Sequence, residues 1–173
     1  SSAASDVYKR QHPGQQQIPG SWESMSFDEL KTQIYSYTNR IMSQMEPDYI
    51  QIGNEINTGI LFPSGDIQNN SIQFIELLNQ GVNAVRTNSN ITKIILHFAG
   101  YDGSQWFFNL VNQVDYDIIG ISYYPIWHGK SLDELQLELT GLSDNFEKEI
   151  LIAETAYPFT LGWNDWTNNI VGL

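Results

Sequence analysis

Two runs of strand-forming residues each end on a glutamate. The first is Asp48 to Glu55, DYIQIGNE, and the second is Glu149 to Glu154, EILIAE. Paired carboxyl groups serve glycoside hydrolysis. In retaining enzymes one attacks the anomeric carbon while the other acts as acid and then base, across about 5–5.5 Å. Such closeness also splits the pKa values of the pair, so that one stays protonated. Either glutamate alone is as readily a salt-bridge partner as a catalyst, but two at equivalent strand ends are harder to dismiss.

Asn54 precedes Glu55 at the first strand end, where it can turn toward a ligand. Strand alternation sets Gly53 and Glu55 on one face. His97 and His128 fall at strand ends or just beyond, with no partner at metal-ligand spacing, so they read as hydrogen-bonding groups and no metal site is assigned. Aromatic residues gather after the same strand ends: Phe62, Trp106, Tyr123, Tyr124, Trp127, Tyr157, Trp163 and Trp166. Sugar rings stack their C–H faces on indole and phenol rings, so such a rim suits a polysaccharide. The chain has no glycine-rich phosphate loop, no G-x-S-x-G elbow and no cysteine, which leaves carboxylate chemistry and calls for no cofactor.

The elements that must carry these residues alternate. Ser26 to Glu29 is a capping-box pattern, and Leu30, Ile34, Tyr37, Ile41 and Met45 follow at helical spacing, which predicts a helix to about Gln44. Residues 49–54 read as a buried strand. The loop from Ile56 to Asp66 is long, as functional loops often are. A helix over 71–87 carries Ile72, Ile75, Leu78, Val82 and Val85, and a strand follows over 91–97.

A short helix is expected over 106–113, and a third strand over 116–123 that Pro125 stops. A second capping box at Ser131 opens a helix with Leu132, Leu135, Leu139 and Leu142 inward. A fourth strand covers 150–153. Helix and strand alternate, and the strands are nearly continuous apolar runs, as in a parallel sheet covered by helices.

An eight-stranded α/β barrel typically needs about 250 residues. This chain has 173 and shows four strands, so it reads either as a small open sheet or as part of a (β/α)8 TIM barrel. Chemistry at the strand C-termini favours the barrel. As a partial barrel it would leave two parallel edges and its interior uncovered, and poor solubility or association is expected of it alone.

Composition narrows the partners. A formal net charge of −12 argues against nucleic acid and against an anionic membrane surface, because both require a positive footprint. No run approaches the ~20 apolar residues of a membrane span. The absence of cysteine leaves the redox compartment open. Residues 1–11 match nothing that follows and read as a non-native leader, with the glycosidase domain over 12–173.

Three stretches resemble glycoside hydrolase family 53, the arabinogalactan endo-β-1,4-galactanases. They are Pro13 to Leu30 with Pro19 and Trp22; Gln51 to Asn57 with Gly59 and Pro63; and Asp117 to Gly129 with Glu154 to Pro158. The string from Ser122 to Gly129, SYYPIWHG, is specific, whereas Asn-Glu alone is common to many barrel glycosidases. The resemblance implies a (β/α)8 barrel and retaining cleavage of β-1,4-galactan, the side chain of type I arabinogalactan and pectin. It makes Glu55 the acid/base and Glu154 the nucleophile. Asn54 would bond the hydroxyl beside the reacting carbon, Tyr124 would orient the nucleophile, and Tyr123, His97, Trp127 and His128 would line the groove.

The same resemblance places this chain at strands four to seven of the barrel. His12 stands where the family tends to have an acidic residue, which supports a junction near residue 11. Asn164 and Asp165 alone do not make the calcium site some members carry. The whole protein is then expected to be a secreted monomer acting on a polymer too large to import. Another barrel β-glycanase, such as a mannanase or glucanase, shares the carboxyl pair. A non-catalytic carbohydrate binder shares only the aromatic rim.

Overall fold

The computed structural model describes residues 16–156. Four parallel strands form one sheet in the order β1 (Tyr49–Gln51), β4 (Lys93–Ala99), β5 (Ile118–Tyr123) and β6 (Glu149–Thr155). Helices α1 (Phe27–Met45), α2 (Ile67–Asn88), α3 (Ser104–Leu110), α4 (Pro125–His128) and α5 (Leu132–Phe146) intervene. A two-residue hairpin, β2 (Gly59–Ile60) with β3 (Gly65–Asp66), fills the loop after β1. The strands connect through helices, as a parallel sheet requires. The arrangement is half of a (β/α)8 barrel.

Local sequence fixes the helix starts. Ser26 accepts from the Glu29 N–H, and Glu29 Oε2 accepts from the Ser26 N–H at 2.7 Å, so both expected halves of the capping box form. Ser131 caps α5 through the Glu134 N–H at 3.2 Å. Asp66 opens α2 by accepting from Gln68 N–H at 2.9 Å, four residues ahead of the expected start. The extra turn passes through Asn70, whose φ of −139° breaks the helical geometry.

The buried faces differ in phase from the simple periodic reading. On α1 the inward residues are Leu30, Thr38 and Met42, while Tyr37 and Met45 are exposed. On α2, Phe74 and Leu77 are fully buried and Ile72 is exposed; on α5, Leu132 is exposed. These misplaced residues sit at helix ends or at the border of the apolar stripe, where side chains pass from core to solvent. Phe98, Phe107 and Phe108 fill the space between sheet and helices, with the Phe98 and Phe107 ring centres 5.1 Å apart.

Alternation divides the central strands cleanly. Ile94, Leu96 and Phe98 on β4, with Ile119 and Ile121 on β5, belong to the core under the helices. Ile95, His97, Gly120 and Ser122 therefore face the other side, the side that becomes a barrel interior. A Cβ on Gly120 would lie 2.8 Å from Ile95 Cγ2, so a glycine is needed where the two strands crowd there.

The outer strands depart from the expected buried runs. Tyr49 is 62% exposed, and Leu151 and Ile152 of β6 are also exposed. The strand order explains this. β1 and β6 are the edges of the four-stranded sheet, so only one side of each is covered. The leader expected over 1–11, together with His12, Pro13, Tyr157, Trp163, Asn164, Asp165 and Trp166, lies outside the described residues.

Candidate active site

The C-terminal end of the sheet is built from backbone irregularities. β1 ends at Gln51, earlier than expected, and the chain turns through Gly53 at φ 82° and Glu55 at φ 47°. A left-handed glutamate costs about 1–2 kcal/mol. The turn is held from several sides. Ile56 N–H donates to His97 O at 2.9 Å, and Gln16 Nε2 donates to Asn54 O at 2.9 Å. Asn57 closes a two-way clamp on Ala99, at 2.8 Å to its carbonyl and 2.7 Å from its N–H. Simple alternation along residues 53–55 therefore does not set the direction of Glu55; the turn does.

On the opposite edge a β-bulge does comparable work. Ile121 pairs with Ile152, but Ser122 pairs with Glu154, so Ala153 is the extra residue. In a regular strand Ala153 would share the Ser122 face and Glu154 would turn toward the helices. The bulge rotates Glu154 onto the inner face.

These two devices bring the carboxyl groups together. Ligand-type atoms of Glu55, His97 and Glu154 all lie within 4.8 Å of one another. Tyr124 Oη donates to Glu154 Oε2 at 2.9 Å. Burial, and then the Glu154 carboxylate, push the Tyr124 phenol up to about 12, so it remains a donor at neutral pH. Ser122 Oγ donates to Glu55 Oε1 at 2.7 Å and also lies 2.8 Å from His97 Nε2. His97 Nδ1 meets Asn54 Oδ1 at 3.2 Å, and Gln51 Nε2 donates to that same oxygen at 3.1 Å.

His97 is fully buried. Burial lowers its pKa, against a smaller upward pull from the Glu154 charge, and favours the neutral ring. Three such residues could in principle hold a cation. Both His97 nitrogens, however, are already engaged by Ser122 and Asn54, so the imidazole does not direct a lone pair into the cluster.

The remaining expected residues divide. Trp127 is 61% exposed and its ring centre lies 5.1 Å from that of Tyr124, so an indole face is open beside the pair. His128 Nδ1 accepts from Tyr124 N–H at 3.0 Å, and burial lowers its pKa. Both residues border a cavity of about 410 Å³ with Gly100, Tyr101, Asp102 and Glu138. Tyr123 is not brought to the carboxyl pair. It is buried, its hydroxyl donates to Gly129 O at 2.8 Å, and alternation turns it to the helix side beside Tyr101. Trp106 lies exposed on α3.

Ser122, which no motif in the sequence singles out, stands between Glu55 and His97. The signal was present, since Ser122 and Tyr124 are two apart on a strand and so share a face.

The family model for glycosyl hydrolase family 53 matches residues 5–172. The chain belongs to glycosyl hydrolase family 53. Among its family 53 relatives, the arabinogalactan endo-β-1,4-galactanase of Cellvibrio japonicus is 35% identical over 92% of this chain and 47% of that protein. The endo-β-1,4-galactanase of Bacillus subtilis is 32% identical over 91% of this chain and 38% of its own length. The solved family 53 catalytic domain of Ignisphaera aggregans superimposes with a TM-score of 0.84 at 37% identity, covering 93% of this chain and 47% of that one. The chain thus spans about half the length of the family members it matches, in keeping with its half-barrel. Among the described residues no helix is long and apolar enough to cross a membrane.

Proposed function

We propose that the protein is a retaining endo-β-1,4-galactanase that cleaves the galactan of type I arabinogalactan and pectin. The observation that carries this reading is the approach of Glu55 and Glu154 to within 4.8 Å at the C-terminal end of a half-barrel. That gap suits double displacement through a covalent intermediate, not the wider spacing of about 6.5–9.5 Å that admits a water in inverting enzymes. The galactanase names of the family 53 relatives support the choice of polymer.

In this reading Glu154 attacks the anomeric carbon while Glu55 protonates the departing oxygen. Water then replaces the leaving group, and Glu55 removes its proton as the bond to Glu154 breaks. Tyr124 holds one Glu154 oxygen by its hydrogen bond, leaving the other to attack. Asn54 has its Oδ1 held by Gln51 and His97, which turns its Nδ2 into the donor for the neighbouring sugar hydroxyl. The exposed indole of Trp127 offers a stacking face for a galactosyl ring.

No cofactor enters this chemistry. A polymeric substrate implies that the whole protein works outside the cell. Reducing sugar released from galactan, mannan and cellulose by the complete gene product tests the proposal. Release from galactan alone is expected, and release from mannan or cellulose with none from galactan would refute it.

A further inference from the structure

Tyr124 holds the proposed nucleophile by its side chain, and its backbone is held in turn. Just beyond the last ladder pair, Tyr123 with Thr155, the chain turns into α4. There Tyr124 O accepts from the N–H groups of Trp127 and His128, each at 2.9 Å, and Tyr124 N–H donates to His128 Nδ1 at 3.0 Å. A backbone N–H can only donate, so Nδ1 must offer its lone pair and the hydrogen of a neutral ring sits on Nε2. The Ser122 carbonyl accepts from the ring on that side. One imidazole therefore ties together Ser122 and Tyr124, the residues whose hydroxyls donate to Glu55 at 2.7 Å and to Glu154 at 2.9 Å.

Gly100 makes room for the ring. A Cβ there would lie 3.0 Å from His128 Cδ2, and the residue sits at φ 77°, where glycine is favoured; its own N–H donates to the same Ser122 carbonyl at 2.9 Å. Beyond His128, Tyr123 Oη donates to Gly129 O at 2.8 Å and fixes the exit of the turn. The titratable groups that border His128 are Tyr101 and Asp102 on the loop after β4, Glu138 on α5, and Tyr124. Burial lowers the His128 pKa against a smaller upward pull from the Ser122 carbonyl, in keeping with a ring that stays uncharged at neutral pH.

We propose that His128 is a positioning residue that acts through Tyr124: by accepting the Tyr124 N–H at Nδ1 it fixes the backbone from which the phenol reaches Glu154, rather than lining the groove for sugar. A second proton would place an N–H on Nδ1 against the N–H of Tyr124, and the anchor would be lost. In the reaction itself His128 neither gives nor takes a proton. It sets how firmly the Tyr124 hydroxyl stays on Glu154 Oε2, and so the direction of the other Glu154 oxygen, the one that attacks. Loss of such a group falls on kcat, whereas loss of a group that contacts sugar raises KM.

This inference rests on the reading of Glu154 as the nucleophile of a galactanase, and the two can fail separately. In the complete gene product, 15N NMR of the histidine rings at neutral pH should show His128, assigned by its loss in His128→Asn, with its hydrogen on Nε2. A hydrogen on Nδ1 would overturn the proposal without any variant having to fold. His128→Ala should lower kcat on galactan roughly tenfold with KM nearly constant. His128→Asn, whose Oδ1 takes the place of Nδ1, should restore most of the loss, and His128→Gln, whose amide reaches only the Nε2 position, should not. In a Tyr124→Phe background, His128→Ala should cost about twofold or less, because the hydroxyl it positions is gone. Additive losses in the double variant, a raised KM, or equal rescue by Asn and Gln would overturn the role of His128 and leave the galactanase reading standing. A wild-type protein that releases nothing from galactan overturns both.

Discussion

The two ends of the parallel sheet spend their charged residues in opposite ways. At the N-terminal end, Arg86 from the last turn of α2 reaches Asp115 at 2.8 Å and Asp117 at 2.9 Å, and donates to Thr92 O at 3.0 Å. Asp117 also accepts from Ile94 N–H at 2.8 Å, tying β5 to β4. Opposite charges meet there on regular backbone. At the C-terminal end two carboxyl groups are held within 4.8 Å of each other by a left-handed residue and a bulge. The first end lowers the energy of the fold, and the second raises it locally to bring two acids together.

The largest expected break in that contrast is Glu154→Gln. The amide keeps size and most hydrogen bonds but cannot attack, so galactan hydrolysis by the complete gene product should fall by roughly 10⁴-fold or more while binding to galactan persists. Titration of binding alongside reducing-sugar release checks both halves. Undiminished hydrolysis would remove Glu154 from the nucleophile role.

Glu55→Gln should cost less, and unequally. Loss of the proton donor should slow galactan by roughly 10²- to 10⁴-fold. Attack on a dinitrophenyl galactobioside should survive, with the trapped intermediate accumulating as an initial burst, because water is no longer deprotonated. Equal losses on both substrates would make Glu55 a mere structural carboxylate.

Tyr124→Phe sharpens the comparison more gently. It removes one hydrogen bond to a charged group, worth about 1.5–3 kcal/mol, so kcat/KM should fall by roughly ten- to a hundredfold. Unfolding by urea should change little, because the phenol is partly open to the groove. A large loss of stability with intact turnover would assign Tyr124 to the fold instead.

What could be read in the chain differs between these regions for physical reasons. Ser26 with Glu29 and Ser131 with Glu134 announce helix starts, because capping is a local bargain between residues three apart. The parallel sheet is legible too, as apolar runs separated by helices. The β2–β3 hairpin was hidden, since two-residue strands carry no periodicity; Gly59 and Gly65 mark it only once their backbones are seen to touch.

Glu154 is legible as an acid at a strand end, yet nothing in EILIAE signals that Ala153 is the bulged residue that turns it inward. Tyr123 and Tyr124 look alike as letters. One ring lies under the helices and the other over the carboxyl pair, because adjacent strand residues take opposite faces. Ser122 shares a face with Tyr124, but a serine has no distinctive chemistry until its two neighbours are known.

The smallest effect on turnover is expected at the other end of the sheet, and there the change should appear in stability. Burial alone would raise the Asp117 pKa, but the Ile94 N–H and the Arg86 guanidinium outweigh it and hold the carboxyl below its ordinary value of 3.8. A lowered folded pKa stabilises the protein above the unfolded value, and that contribution disappears as pH falls through the folded one. Asp117→Asn should therefore lower the urea midpoint at neutral pH by the equivalent of about 1–2 kcal/mol, with the difference from wild type shrinking as the pH falls below 3.8. The pH profile of galactan hydrolysis should not move, because Asp117 pairs at the start of β5 while Ser122 and Tyr124 stand at its far end. A shifted profile would mean that the two ends are coupled through the strand, and that the division of labour between them is not real.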